Sequence, residues 1–363
     1  VLALVQNAAV EGLFLIVFDI LPQQFIGGHP HLGLTAPGHD GFPLGGGTHH
    51  EGHLQEEIVM PNWGELLQRI NNGNPLDVER RKYLRILNKY TGRNVIAYYS
   101  GFLQKPGIAA SQINDNDKNG FMQAICGLDK SKGLDLILHT PGGEIAATES
   151  IVCYLKSIFG NNIRAIVPQI AMSAGTMIAL SCKEIIMGKQ SNIGAIDPQF
   201  NGISCDAVLE EFEQACLDIK VDPSKIPLWQ VIIGKYHPTF LGDCKKARDW
   251  AAQMVETWLK ENMLLKSQKK DEIAYQIIDN LAKHSATKTH SRHIHIKECK
   301  KIGIKVLPLE DIMKDTQIED CKNFQDCVLT VHHAYMHTFS NSAAIKIIEN
   351  HNGSAIINNS FAK

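Results

Sequence analysis

Short apolar β-type runs alternate with longer helical patterns through the middle of this chain. The runs "NVIAYYSGF", "LDLILHT", "IRAIVPQI" and "EIIMG" read as strands, and the second and third lack a clean polar alternation. Between them, "GFMQAICGL", "EIAATESIVCYLKSIF" and "SAGTMIALSC" have helical periodicity. Strands separated by helices favour parallel βαβ units, so the pattern predicts an α/β fold whose sheet is covered on both faces.

The composition limits the class of protein. The chain has 363 residues, of which 44% are hydrophobic and 20% charged, with a formal net charge of −2. These values are typical of a globular protein with one large domain or two modest ones. A nearly neutral chain gives no electrostatic reason to expect a nucleic-acid partner. Nine scattered cysteines without a CxxC pair indicate reduced thiols in a cytoplasmic protein.

The first 59 residues differ in amino-acid composition from the rest of the chain. The longest uninterrupted apolar run, Gly12 to Phe18, is well short of the roughly 20 residues that span a bilayer. Residues 27–53 are dominated by Gly, Pro and His without fixed metal-ligand spacing, so we expect a mobile segment rather than a metal site. The expected organisation is an extension over 1–59, a main domain over 60–310, and a helix with a tail over 311–363.

Helical patterns also flank the alternating region. On its amino-terminal side they are "NWGELLQRINN" and "LDVERRKYLRILNKY", and on its carboxyl-terminal side "AVLEEFEQACLDIK" and "CKKARDWAAQMVETWLKENMLL". The segment "KKIGIKVLPLED" predicts a last short strand. The final segment, "CVLTVHHAYMHTFSNSAAIKIIENHNG", predicts a terminal helix and tail.

Two strand-to-helix junctions carry residues suited to chemistry. In the first, Thr140-Pro141-Gly142-Gly143 joins a strand to a helix that begins near Glu144. Two glycines remove Cβ atoms where another group must approach the backbone, and their N–H groups precede a helix amino terminus. Taken alone, this signal is weak, because many turns contain Pro-Gly-Gly.

The second junction is "AMSAGT", in which Ser173 is followed by Ala174 and Gly175 at the start of an apolar helix. Taken alone, Ser173 fits an ordinary helix N-cap. Taken with the first junction, the amide after Ser173 and an amide of Gly142 or Gly143 could face one point. Two such backbone donors form an oxyanion hole, in which each donor typically contributes about 3 kcal/mol of transition-state stabilisation.

The order of these motifs resembles the ClpP/crotonase-fold serine peptidases. It runs strand, "TPGG", helix, strand, "AMSAGT", helix and "EIIMGKQSNIGAIDPQ". The sequence is most similar to the branch that contains signal peptide peptidase A and the serine dehydrogenase proteinase family. Further shared stretches are "GRNVIAYYSGFLQ", "KYHPTFLGDC" and "THSRHI", so the resemblance extends from about Met60 past residue 300.

The resemblance implies a nucleophile at Ser173 and an oxyanion hole from the Gly143 and Ala174 amides. In signal peptide peptidases a lysine is the base, but His237 occupies the corresponding position of "GKYH" here. The serine dehydrogenase proteinase family is described as using Ser, Asp and His in that order. We therefore take His237 as the general base and Asp197 as the carboxylate that orients it.

Other residues remain alternatives for the base. Lys235 would serve if desolvation lowered its pKa, and His290 or His293 would serve if "THSRHI" folded back onto the site. His139 fits a satisfied core histidine better. A second set of histidines with helical spacing lacks acidic or thiol companions, so no metal is predicted there: His332, His333 and His337.

The resulting hypothesis is an ATP-independent serine endopeptidase that forms an acyl-enzyme on Ser173. The sequence has no nucleotide-binding P-loop, and neither a cofactor nor a metal is predicted. The resemblance implies a peptide or protein substrate, a homo-oligomer and, as an open alternative, peripheral membrane association. The rival hypotheses are a non-catalytic scaffold of the same fold and, more weakly, a crotonase-type acyl-CoA enzyme.

Overall fold

A seven-stranded sheet organises the part of the chain that the computed structural model describes, residues 76–312 and 321–360. The strands of the described residues are β1 Asn94–Ser100, β2 Leu134–His139, β3 Ile163–Val167, β4 Ile170–Ala171, β5 Glu184–Met187, β6 Asn192–Ile193, β7 Gln199–Phe200, β8 Ile203–Ser204, β9 Ile294–His295, β10 Val306–Pro308, β11 Ala344–Asn350 and β12 Ala355–Asn359. The strand order of the seven-stranded sheet is β10-β5-β3-β2-β1-β11-β12. Strands β10, β5, β3, β2 and β1 are mutually parallel, β11 is antiparallel to β1, and β12 is antiparallel to β11.

Helices connect the parallel strands, and the predicted α/β class is confirmed. The helices of the described residues are α1 Leu76–Thr91, α2 Asp117–Ile125, α3 Ile145–Phe159, α4 Ala174–Leu180, α5 Cys205–Val221, α6 Ile226–Ile233, α7 Phe240–Trp258, α8 Lys270–Ala282, α9 His284–Thr287, α10 Ile296–Lys301 and α11 Phe324–Asn341. A π-helical turn, Leu259–Met263, extends α7. The predicted helix "NWGELLQRINN" and the extension over residues 1–59 lie outside the described residues.

The sheet is buried on both faces, as the apolar strands predict. In β1 the side chains of Val95, Ala97 and Tyr99 pack toward α1 and α11, whereas Ile96 and Tyr98 pack on the opposite face, which α2, α3, α4, α7 and α8 cover. Because successive side chains of a strand point to opposite faces of the sheet, β1 contributes to two separate hydrophobic cores. Such a layered arrangement leaves the carboxyl ends of the parallel strands as the natural place for a cleft.

Residues 311–363 contain more than the predicted helix and tail. After α11, strands β11 and β12 continue the main sheet, and β11 pairs antiparallel with β1 from Ile96 opposite Asn350 to Ser100 opposite Lys346. This carboxyl-terminal segment is therefore an integral edge of the sheet. The described residues of this segment cannot be separated from the main domain without exposing β1.

A small second sheet gathers three distant parts of the chain. Strand β4 pairs parallel with β6, and β6 pairs antiparallel with β9. Ser173 follows β4 by two residues, Asp197 follows β6 by four, and His290 precedes β9 by four. Hydrogen bonding in this sheet therefore fixes the relative positions of the segments that carry these three side chains.

The described residues contain neither a helix suited to spanning a membrane nor a cluster of metal-ligating side chains. Over residues 76–312 and 321–360, no helix combines the length and the apolar character needed to cross a bilayer. In the same part of the chain, no group of three or more His, Cys, Asp or Glu side chains is arranged to hold a metal ion.

Candidate active site

The two strand-to-helix junctions lie side by side at the carboxyl edge of the sheet. The Thr140 N–H donates to the Ile170 carbonyl at 3.1 Å, and the Met172 N–H donates to the Thr140 carbonyl at 3.0 Å. These bonds form a parallel bridge between Thr140 and Ala171. The glycine turn and Ser173 are thereby held next to each other, as the paired motifs predict.

Ser173 has an unusual backbone conformation at the start of α4. Its φ and ψ are 51° and −119°, a region that residues with a side chain rarely adopt. Although Ser173 occupies the N-cap position, its side chain makes no capping hydrogen bond. The ordinary capping interpretation therefore does not explain this serine. A strained strand-to-helix turn that presents a hydroxyl is the geometry of a nucleophile elbow.

Gly142 lies directly against Ser173. A Cβ built on Gly142 would lie 2.6 Å from the Ser173 Cβ and 2.9 Å from the Met172 carbonyl oxygen, and the φ of Gly142 is +101°. Its N–H donates to the Thr140 hydroxyl at 3.2 Å, so this amide is already used. The absence of a Cβ on Gly142 therefore lets the turn lie directly against Ser173. The backbone amide of the turn that remains free to donate a hydrogen bond is that of Gly143.

The Gly142→Ala variant is expected to lose both stability and reaction at Ser173, because the added methyl group overlaps Ser173. Gly160→Ala is the matched control, since Gly160 also has a positive φ, +57°, but nothing lies within 4 Å of its built Cβ. We expect the control to lose about 1 kcal/mol of unfolding free energy, the cost of a left-handed alanine, and to keep its activity. Urea unfolding and serine-probe labelling of both variants measure the difference. Equal behaviour of the two variants would contradict the close approach at Gly142.

The amides of Gly143 and Ala174 are the two donors that remain. The Ile113 N–H donates to the Gly142 carbonyl at 2.8 Å, and because the peptide is trans, the Gly143 N–H of the same peptide points away from Ile113. Ala174 is the first residue of α4, so its N–H has no partner within the helix. Among the described residues neither amide donates a hydrogen bond. Both residues line the cavity that contains Ser173.

This cavity has a volume of about 710 Å³ and is open to solvent. Its walls come from the glycine turn, from α3, α4 and α7, and from the hairpin formed by β7 and β8. Apolar side chains form much of the lining, with a few polar side chains at the edge: Gln112, Pro141, Glu144, Ile145, Ala146, Met177, Ile196, Pro198, Gln199, Phe200, Asn201, Ala247 and Trp250.

Asp197 and His290 form a hydrogen-bonded pair in the same cavity. His290 Nδ1 lies 2.6 Å from Asp197 Oδ1, the Asp197 side chain is fully buried, and the His290 side chain is 19% exposed. In the tautomer that carries its proton on Nδ1, the ring donates to this buried carboxylate and Nε2 is left as an acceptor. The second oxygen of Asp197 has no partner among the described residues. The pair therefore has the form of a base and its orienting group.

Thr176 links the segments of Ser173 and Asp197. Its hydroxyl donates to the Ala171 carbonyl at 2.8 Å and accepts the Gly194 N–H at 2.9 Å. This single buried side chain thus bridges the strand before Ser173 and the strand before Asp197.

The loop that carries His290 is fastened by Arg292. The guanidinium donates to the Ala286 carbonyl at 2.8 Å and pairs with Glu298 at 2.5 Å. Because the two contacts lie on opposite sides of His290 in sequence, they close the loop around it. The imidazole is therefore presented by a braced loop.

The structure does not bring His237 to this cavity. His237 is exposed, its Nδ1 lies 3.1 Å from the Thr239 hydroxyl, and with Lys235 it borders a separate cavity of about 390 Å³. His293 is exposed and is absent from the lining of the Ser173 cavity. Of the four alternatives for the base, only His290 lines the cavity that contains Ser173 and Asp197. The "GKYH" motif lies between α6 and α7 and borders the separate cavity, so it does not place His237 beside Ser173.

His139 is a core residue, although not a satisfied one. It is fully buried, and its ring contacts Tyr99, Phe102 and His332 at centroid distances of 5.1 to 5.4 Å. Neither ring nitrogen has a hydrogen-bond partner of good geometry among the described residues, although the Ile170 backbone lies close enough to favour the protonated ring and so opposes the effect of burial. Burial lowers the pKa of His139 from 6.5 to about 3. The ring is therefore held neutral in the folded protein.

Acidification is expected to weaken the fold through His139. Between pH 6.5 and pH 3 the unfolded chain binds a proton that the folded His139 does not, so stability is full above pH 6.5 and falls with pH. From pH 7 to pH 5 this group alone costs about 2 kcal/mol of unfolding free energy. Denaturant titrations at both pH values should give a smaller decrease for His139→Leu than for the wild type. The control is His293→Leu, at an exposed histidine. If the unfolding free energy of His139→Leu falls between pH 7 and pH 5 as much as that of the wild type, His139 is not the source of the pH dependence.

The chain is similar in sequence to known proteins over most of its length. Residues 67–312 match the family described as ClpP-like SDH-type serine proteinase, which confirms the suspected resemblance. Two uncharacterized proteins of Methanocaldococcus jannaschii are similar to the chain. One is 30% identical over 236 residues, covering 64% of this chain and 74% of the relative, and the other is 30% identical over 234 residues, covering 63% and 72%. The chain therefore belongs to the ClpP-like SDH-type serine proteinase family.

Proposed function

We propose that this protein is a serine endopeptidase in which Ser173 is the nucleophile, His290 the general base and Asp197 the orienting carboxylate. The observation that carries the proposal is the 2.6 Å Asp197–His290 pair in the same cavity as Ser173. The amides of Gly143 and Ala174 complete the arrangement as oxyanion donors. His290 replaces His237 in this assignment, because only His290 shares the cavity with Ser173.

The proposed reaction proceeds through an acyl-enzyme. Ser173 Oγ attacks the scissile carbonyl carbon while its proton passes to His290 Nε2, and the carbonyl oxygen becomes an oxyanion. The oxyanion accepts hydrogen bonds from Gly143 and Ala174. When the C–N bond breaks, His290 returns the proton to the leaving amine. Water then attacks the ester by the same proton route and releases the carboxylic acid and free Ser173.

The hydroxyl of Ser173 makes no hydrogen bond within the described residues. In enzymes without substrate the bond from nucleophile to base is often long, and it shortens when substrate is bound. A rotation about χ1 of Ser173 would direct Oγ within the cavity without moving the backbone. The strained φ keeps the hydroxyl at the cavity surface during this change.

The cavity lining supports a peptide substrate with an apolar side chain next to the scissile bond. Ile145, Met177 and Trp250 are apolar groups of the wall around Ser173. Burial of an apolar substrate side chain there would release water from both surfaces. No nucleotide takes part in the proposed reaction.

The test is a fluorophosphonate probe, which phosphonylates an activated serine. We expect one adduct per chain, located by mass spectrometry in the peptide containing Ser173, and loss of casein hydrolysis in parallel with labelling. Ser173→Ala is expected to remain folded and to incorporate no probe. If well-folded wild-type protein neither reacts with the probe nor cleaves casein, the scaffold hypothesis replaces the peptidase.

We also infer self-association through α6. Leu228 and Val231 on this helix are 60% and 67% exposed, and no residue of α6 is buried. Leu217 and Val221 at the end of α5 are exposed as well, so the apolar area is larger than single surface residues explain. Leu228→Glu/Val231→Glu is expected to lower the oligomer mass in analytical ultracentrifugation, whereas Val78→Glu, at an exposed apolar residue of α1, should not. An unchanged mass in the α6 variant would exclude this surface.

A further inference from the structure

The direction of the Gly143 N–H depends on one residue outside the two junctions. Ile113 donates its N–H to the Gly142 carbonyl at 2.8 Å and accepts the Glu144 N–H at 2.9 Å. These bonds hold the peptide groups on both sides of Gly143. A Cβ built on Gly143 would lie 2.3 Å from the Ile113 N and O atoms, so the two backbones are in direct contact. A shift of Ile113 would therefore rotate the Gly143 amide.

Ile113 is in turn held through its neighbours. The Lys346 ammonium donates to the Gln112 carbonyl at 2.6 Å, and the Asn114 N–H donates to Asp117 Oδ2 at 3.1 Å. Lys346 and Asp117 also pair with each other at 2.8 and 3.0 Å. The residues immediately before and after Ile113 are thus attached to the two members of one ion pair.

Tyr98 completes this buried group. Its hydroxyl donates to Asp117 Oδ2 at 2.7 Å, and the side chains of Lys346 and Asp117 are both fully buried. Burial raises the pKa of Tyr98 well above its usual value, so the phenol stays protonated and remains a donor. The three N–H donors of Lys346 are matched by the Gln112 carbonyl and the two carboxylate oxygens. We call Tyr98, Asp117 and Lys346 the β1–β11 clamp.

Stabilisation of the fold is by itself a weak explanation for a buried ion pair such as Asp117–Lys346. A buried ion pair is often no more stabilising than apolar residues of similar volume, because removing two charges from water is costly. The clamp lies on three separate elements, β1, α2 and β11, and its bonds converge on the short segment that contacts Gly143. None of its three members lines the cavity that contains Ser173, although Lys346 donates to the Gln112 carbonyl and interacts electrostatically with Glu144, both of which are lining residues.

We propose that Tyr98, Asp117 and Lys346 are positioning residues for the oxyanion hole, acting through Ile113 on the Gly143 amide. This inference rests on the proposed peptidase function. The clamp maintains Gly143 N–H pointing into the cavity before substrate arrives, so that no backbone rearrangement is needed as the oxyanion forms. Its loss should therefore lower kcat and leave KM little changed, because ground-state binding uses the cavity walls.

The test compares two double variants that each remove one fully buried ion pair of β11. Asp117→Asn/Lys346→Met removes the clamp charges without leaving either charge unpaired. Arg80→Met/Glu349→Gln is the control, because Arg80 of α1 and Glu349 of β11 pair at 2.7 Å with both side chains fully buried. Their other partners do not adjoin Ile113; these are Asp77, Arg81, Tyr335 and Thr338. The milder Tyr98→Phe removes one hydroxyl and retains the ion pair.

For the clamp variant we expect kcat to fall roughly 10- to 100-fold at unchanged KM, which is less than removal of a whole oxyanion donor. For Tyr98→Phe we expect a few-fold decrease in kcat, and for the control a decrease of less than about two-fold. The thermal stability of the control should fall as much as that of the clamp variant. Equal kcat in the clamp and control variants would show that the clamp is only structural.

Hydrogen exchange separates this inference from the proposed function. In the clamp variant the Ile113 and Glu144 amides, which are hydrogen-bonded to the glycine turn, should exchange roughly ten-fold faster than in wild type or control. This measurement needs no catalytic activity. If the wild type is inactive but the exchange differs as expected, the peptidase proposal fails and the clamp persists as a brace of the turn. If these amides exchange equally in clamp and control variants, the clamp inference is overturned.

Discussion

His290→Ala is expected to lose roughly 10⁴- to 10⁶-fold in kcat, comparable to the loss of a triad histidine in other serine peptidases. A serine hydroxyl is a weak nucleophile at neutral pH, and in the cavity only His290 combines a ring nitrogen with a carboxylate partner, at 2.6 Å. The remaining activity would come from the two oxyanion donors and substrate binding. Hydrolysis of a fluorogenic peptide and the rate of fluorophosphonate labelling measure the loss.

The matched controls for His290 are His237, the base that the sequence favoured, and Lys235, one of the alternatives to it. His237→Ala and Lys235→Ala should retain kcat within about two-fold, because both side chains are exposed and border a different cavity. Circular dichroism should show all three variants folded. A large loss of activity in His237→Ala, with His290→Ala still active, would reverse the assignment of the base.

The closeness of Ser173 to the glycine turn could be predicted because both belong to local motifs. Ser173 and Ala174 lie in one strand-to-helix turn, and Gly143 lies in another, so each motif contains its own glycines, alanines and helix start. Their proximity follows from parallel strands, whose carboxyl ends share one edge of the sheet. For these residues, local sequence and sheet topology are sufficient.

The pairing of Asp197 with His290 could not be predicted by the same reasoning. Asp197 and His290 are separated by 93 residues, and α5 to α9 lie between them. Their meeting depends on the pairing of β6 with β9, two strands of two residues each. Strands this short have no hydrophobic periodicity to detect. The choice of His237 followed an aligned motif, whereas the contact is decided by tertiary packing.

The carboxyl-terminal strands were missed for a different reason. Strand β11 contains Lys346 and Glu349, yet all of its residues are buried. Charged residues argue against a buried strand unless partners neutralise them, and here the partners are Asp117 and Arg80, more than 220 residues earlier in the chain. A pattern that depends on distant countercharges cannot be recognised within its own segment.

Asp197→Asn is expected to lower kcat by roughly 10⁴-fold at neutral pH while Ser173 and His290 stay in place. An asparagine amide can donate to His290 Nδ1, which would put the ring proton on Nε2, where the base must accept. The negative charge that stabilises the imidazolium is lost as well. Steady-state kinetics should show the decrease mainly in kcat, since the Asp197 side chain is fully buried and offers little surface to a substrate.

Asp135→Asn is the matched control for this change, because Asp135 is also fully buried and also paired, with Arg93 and Arg164 at 2.6 Å. Both variants replace a buried carboxylate by an isosteric amide, so both should lose unfolding free energy. Only Asp197→Asn should lose catalysis, because the partners of Asp135 are arginines at the opposite ends of the strands. Should Asp197→Asn retain a kcat similar to that of Asp135→Asn, then Asp197 is a structural anchor for the His290 loop, and Ser173 and His290 act as a dyad.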